Sequence, residues 1–95
     1  MKHCIIVKWN ETVTDKRAIL PELEALFAKA ADIPGVRGAK LVPNCVDRAN
    51  RYDLAIAVDM DRDALPAWDE SAVHHAWKDT YGARIAQKAI FDFEA

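Results

Sequence analysis

The side chains in this 95-residue chain best suited to chemistry near neutral pH are three histidines and two cysteines. His74 and His75 are adjacent in the run Ser71-Ala72-Val73-His74-His75-Ala76-Trp77. Neighbouring residues on a helix diverge, so the two imidazoles face different ways. At helical spacing Val73, Trp77, Thr80, Tyr81 and Arg84 form one stripe. His74 lies at its edge beside Trp77 and Tyr81, and His75 points to the other side. An imidazole in an apolar cleft walled by Trp and Tyr can take a proton and return it. The same spacing also describes a partly buried histidine with a hydrogen-bond partner and no reaction, and the residues alone leave both readings open. His3 opens an apolar run on the same alternating face as Ile5, Val7 and Trp9.

Other chemistries fit less well. His74 and His75 diverge rather than chelate, and no carboxylate is placed to join them with His3, so no metal is expected. Cys4 falls on the strand face opposite His3, inside an apolar run where thiols are usually inert. Cys4 and Cys45 allow one pairing, and a chain with no export signal is assigned to the cytoplasm, where thiols stay reduced. The apolar run at residues 4–7 is broken by Lys8, which is too short for a signal core or a membrane span. The net charge is −2 with acids and bases interspersed, so neither nucleic acid nor a membrane surface is expected as a partner. Trp9, Trp68 and Trp77 read as core or pocket wall, because no basic groove accompanies them.

The elements that must position these residues follow from periodicity. Apolar residues make up 52% of the chain, enough for one small folded domain. Residues 3–9 alternate as a strand with both faces largely apolar, which suits burial on both sides. Thr14 is read as the cap of a first helix carrying Ile19, Leu23, Leu26, Phe27 and Ala30, interrupted or kinked at Pro21. Ile33-Pro34-Gly35-Val36 ends it and opens a strand at 36–42, and a polar hairpin loop runs from Asn44 to Arg51. Tyr52 to Met60 is a strand with Tyr52, Leu54, Ile56, Val58 and Met60 on one face and Asp53, Ala55, Ala57 and Asp59 on the other. Asp61 is read as the cap of a short helix to about Asp69 that contains Pro66. Ser71 caps a longer helix over about 72–86, and 89–93 is the last strand. Strand-helix-strand-strand-helix-strand is the ferredoxin-like split βαβ order of an α+β domain. Its helices cover one sheet face, and pairing of two copies through the other would give a dimeric α/β barrel.

Taken in order, several segments resemble the stress-responsive α/β-barrel (Dabb) domain family over nearly the whole length. These are Lys2-His3 leading into an apolar strand, Ile33-Pro34-Gly35-Val36, the Asn44 loop, Tyr52-Asp53-Leu54 and Ile90-Phe91-Asp92-Phe93. Residues 1–95 are accordingly read as a single Dabb domain. In that family the last helix follows an aromatic residue and a His-Pro-any-His motif with a trailing aromatic. Anchored without gaps on Ile90-Phe91-Asp92, the second histidine falls on His74 and the aromatic on Trp77, while Ser71 and Ala72 replace the first histidine and the proline.

The resemblance implies a homodimer with a pocket between sheet and helices in each subunit, and no cofactor. Most members have no assigned activity. One plant branch resembles a cofactor-free polyketide cyclase in which the histidine matching His74 is the base and the one matching His3 lies nearby. Tyrosines hold the substrate there, and this chain departs from that pattern with Trp68 and Ala25.

The expectation is a small dimeric, stress-related protein of unassigned activity. It has a pocket for a small apolar or aromatic molecule around His74, contacted by Trp68, Trp77, Tyr81 and Ile5. The alternatives are a cofactor-free enzyme, either aldol chemistry with His74 as base and His3 on the substrate or developing enolate oxygen, or a quinol-type monooxygenase, and a binder without turnover.

Overall fold

A computed structural model describes residues 1–94. The strands are β1 (Lys2–Trp9), β2 (Val36–Pro43), β3 (Leu54–Met60) and β4 (Ile85–Phe93), and the helices are α1 (Leu20–Ala28), α2 (Leu65–Glu70) and α3 (Ala72–Tyr81). Short 3-10 turns at Lys29–Asp32, Arg62–Ala64 and Gly82–Arg84 link helices to their neighbours. The sheet is antiparallel in the order β2-β3-β1-β4. This is the α+β ferredoxin-like arrangement that the order of elements predicts.

Residues paired across strands share a face, and the register therefore sorts the sheet into two sides. His3, Ile5, Val7 and Trp9 on β1 and Leu54, Ile56, Val58 and Met60 on β3 all turn to the helices and are buried. Leu23 and Phe27 of α1, Trp68 of α2, and Val73, Trp77 and Tyr81 of α3 close over them. The opposite face carries Cys4, Ile6, Val42, Ala55, Ala57, Phe91 and Phe93. Among the described residues no helix covers that face, so β1 is buried on one side and only half-buried on the other.

Several boundaries differ from the sequence reading, each for a local reason. The first helix begins at Leu20 rather than after Thr14, and Pro21 sits in its first turn. Proline is at home there, since its missing N–H would be unpaired in any case. Asp15 accepts from the N–H groups of Arg17 and Ala18 at 3.1 Å each, which builds a separate turn ahead of the helix. Asp61 makes no side-chain cap, because its carboxylate accepts from Arg37 at 2.7 Å. The segment after it is a 3-10 turn and then α2, with Pro66 in the first turn. The last helix stops at Tyr81, and β4 starts at Ile85, four positions earlier than expected. Thr80, placed on the inner stripe by spacing, is exposed.

Candidate functional site

His3 reaches its place through β1, which turns it inward with Ile5 and leaves it 7% exposed. The residue opposite it in the register is Asp92 of β4. The His3 Nδ1–H donates to Asp92 Oδ1 at 2.5 Å. A carboxylate accepts and does not donate, so in the neutral ring this bond places the proton on Nδ1 and the lone pair on Nε2. The Asp92 side chain is 39% exposed and stands near the open edge of β4. Ile90 is on the helix-facing side, paired with Ile5, yet is 50% exposed. The helices thus leave the β4 side of His3 uncovered.

His74 is placed by the start of α3. Ser71 Oγ accepts from the His74 backbone N–H at 3.1 Å and donates to the Trp68 carbonyl at 2.7 Å, so one hydroxyl joins the end of α2 to the start of α3. The His74 ring is half-buried, and its Nδ1–H donates to the Asp69 carbonyl at 2.9 Å. This bond also leaves Nε2 unprotonated on the neutral ring. His75 is exposed, as its helical position requires.

Trp68 is fully buried and packs against both imidazoles, with ring centroids 6.2 Å from His3 and 5.4 Å from His74. Its Nε1–H is buried and has no acceptor among the described residues. Trp77 and Tyr81 lie one and two turns further along α3, also buried. Trp77 packs on Trp9 at 6.2 Å and Phe27 at 5.5 Å, and stacks on Tyr81 at 5.4 Å. The Tyr81 hydroxyl donates to Glu22 at 2.8 Å, and burial, with Glu22 adding to it, pushes the phenol up to about 12. The structure therefore brings together His3, Trp68, His74 and, through β1, Ile5. It places Trp77 and Tyr81 in the helix-sheet core.

The space that a pocket between sheet and helices would occupy is filled here by Trp68 and Trp77. The four principal clefts are lined by other residues. The largest, about 540 Å³, lies at the far end of β1 around Trp9, Lys16 and Asn44. Asp92 is the partner of His3 that sequence reasoning leaves unassigned. It lies in a segment quoted for its resemblance, but its partner is 89 positions away and only the strand register reveals the pair. Cys4 sits on the other face, where burial and the Asp92 charge push its thiol up, away from a nucleophilic thiolate. Among the described residues no group of three or more His, Cys, Asp or Glu gathers to hold a metal ion, and no helix is long and apolar enough to cross a membrane.

Neither the family models nor the curated proteins compared with this sequence match it. Solved structures do match. A dimeric ferredoxin-like protein of unknown function from Thermobifida fusca superposes with a TM-score of 0.80 at 23% identity, covering 99% of this chain and 89% of that one. A Dabb family protein with a ferredoxin-like fold from Mesorhizobium loti gives 0.73 at 12% identity, covering 99% and 94%. A putative antibiotic biosynthesis monooxygenase from Nitrosomonas europaea gives 0.71 at 15% identity over the full length of both chains. The fold is thus that of the dimeric ferredoxin-like proteins, and it matches the fold of a Dabb family protein.

Proposed function

We propose that this protein binds a small, largely apolar molecule beside His3 and His74 and moves a proton on it without a cofactor. The observation that carries the reading is the Asp92 carboxylate on His3 Nδ1. An imidazole oriented in this way presents Nε2 as a base. The carboxylate then stabilises the imidazolium that forms, as in other carboxylate-histidine pairs. His74, with its Nδ1–H tied to a backbone carbonyl, offers a second Nε2 across Trp68. The uncovered strip at Ile90 and Asp92 is the route by which a ligand reaches His3. Ile5 and Trp68 supply apolar wall, and Phe27, which packs on both Trp68 and Trp77, joins that wall to the core.

Proton abstraction next to a carbonyl is the simplest reaction for such a site, and deuterium exchange tests it without knowledge of the natural substrate. Acetophenone incubated with the protein in D2O should lose its methyl proton signal faster than in buffer. His3→Ala and His74→Ala should each slow that exchange, the one that removes the base by about a hundredfold or more, the usual share of a general base. Equal exchange rates with the wild-type protein and the double variant would overturn the acid-base reading. Oxygen consumption with a quinol would instead favour the chemistry suggested by the monooxygenase-like neighbour.

The site would work in a pair of copies joined through the outer sheet face. That face exposes Phe91 and Phe93, 60% and 43% in the single chain, beside Val42 and small alanines. An apolar sheet face of this kind is normally covered, and the structural neighbours include proteins described as dimeric. Both cysteines are free thiols, which fits a reducing cytoplasm. A role under stress rests on the family resemblance alone.

A further inference from the structure

We infer that the cleft at the far end of β1 is a second binding site, and that it takes a small zwitterion of the amino-acid type, with a carboxylate and an ammonium group beside an apolar side chain.

The cleft holds about 540 Å³, within the range of small-molecule sites. Trp9 lines it, and His3 lies six positions earlier on the same strand, about 20 Å away. Neither His3, Trp68 nor His74 borders it, so the two sites stand or fall separately.

Two segments with fixed shapes form its walls. The turn at residues 14–17 is held by Asp15, which accepts from the N–H groups of Arg17 and Ala18. In the loop after β2, the Asn44 side chain accepts from the Val46 N–H and donates to the Val46 carbonyl. Leu20, Pro43 and Val46 give the cleft an apolar side.

The charges fall into two groups. Lys16 and Asp53 satisfy each other at 2.8 Å, and the second Asp53 oxygen accepts from the Trp9 backbone N–H at 2.8 Å. Arg17 and Asp47 line the same cleft from the two walls. Neither has an ion-pair partner among the described residues. The Asp47 charge helps to hold the proton on Lys16, next to Arg17, so loop and turn lie within electrostatic reach of each other.

One unpaired cation and one unpaired anion select a ligand that carries both signs. A guanidinium takes a carboxylate through two parallel N–H bonds, and Asp47 takes an ammonium group. A bare anion meets three acids, Asp15, Asp47 and Asp53, against two bases. A bare cation gains nothing from Arg17. Both unpaired groups are exposed, so each pairing is modest and the affinity should be about millimolar.

L-leucine, leucinamide and N-acetylleucine carry one side chain with both charges, the cation alone and the anion alone. Titrated into the ¹⁵N-labelled protein, leucine should shift the backbone signals of residues 14–17 and 44–47 saturably. The two derivatives should bind about threefold or more weakly. Arg17→Gln should reduce leucine binding to the level of leucinamide, and Asp47→Asn should reduce it to that of N-acetylleucine. Both side chains are exposed, so the variants should fold as wild type does. No saturable shift in these two segments would overturn the site. Equal binding of leucine and either derivative, or leucine binding unchanged in the double variant, would overturn the zwitterion reading.

Discussion

His3 and Asp92 lie at opposite ends of the chain, yet the strand register sets them side by side, with His3 Nδ1 2.5 Å from Asp92 Oδ1. The bond joins an inner strand of the sheet to its edge strand and leaves His3 in one tautomer. Asp92→Ala should release that restraint. The His3 ring in the neutral form should move from Nδ1–H toward Nε2–H, read from ¹⁵N ring shifts. Because Asp92 is partly exposed, the stability loss should be only about 1 kcal/mol. An unchanged tautomer in the variant would show that the carboxylate does not orient the ring.

The strand faces were legible in the sequence because period-two alternation follows directly from the pleat. His3, Ile5, Val7 and Trp9 could be assigned to one side from spacing alone. Tertiary pairing overrode local preference elsewhere. The helix over about 72–86 is read past Tyr81 because nothing local stops it, and Ile85 to Lys88 is not read as strand because Ala, Gln and Lys are good helix formers. In the structure these residues pair with Trp9, Lys8 and Val7 of β1. Asp15 and Pro21 each suit a helix start, and only the Asp15 side-chain bonds show that the helix begins later. The candidate site was half legible. Helical spacing separates His74 from His75, but the Asp92 partner and the filling of the cleft by Trp68 depend on contacts between distant segments.

Ser71 should matter out of proportion to its size. Its hydroxyl caps α3 at the His74 N–H and also bonds the Trp68 carbonyl. Ser71→Ala should cost about 1 kcal/mol of stability in urea titration. It should also loosen both site residues, seen as broadened His74 ring signals. Ser71→Thr keeps the hydroxyl and should recover most of the loss. An alanine variant as stable as wild type would mean that water replaces the cap at no cost.

Tyr81 predicts a stability change at high pH. Its phenol is raised from 10.0 to about 12 in the folded chain by burial and by Glu22. The folded state therefore holds this proton more tightly than the unfolded state does. The resulting stability is fully present below pH 10 and is lost as pH rises through 12, by about 3 kcal/mol in all. Tyr81→Phe keeps the ring against Trp77 but removes the titration. The difference in stability between wild type and variant should thus shrink across this range. A constant difference would show that Tyr81 does not titrate in the fold.

Phe91 tests the pairing of copies separately from the fold. Its side chain is 60% exposed in the single chain, so Phe91→Asp should leave circular dichroism unchanged. In a pair joined through this face the same substitution buries a charge against apolar surface, which is strongly unfavourable. Wild type should sediment as a dimer at micromolar concentration and the variant as a monomer. A variant that remains dimeric would move the interface off this face.

Gly35 ties the far side of the sheet to the helix that carries Trp68. It has φ +82, and a Cβ there would meet the Ala64 Cβ at 2.8 Å. Its carbonyl accepts the Asp61 N–H at 2.8 Å, fixing the turn that leads into α2. Gly35→Ala therefore faces two separate costs. The left-handed backbone accounts for about 1–2 kcal/mol, and the contact with Ala64 forces a shift on top of it. Gly35→Asn carries the same Cβ contact but tolerates the backbone better. If backbone strain dominates, the asparagine variant should be clearly the more stable of the two on thermal melting. If the Ala64 contact dominates, both should melt alike, and the displacement of Ala64 should reach Trp68 as a shifted indole N–H signal.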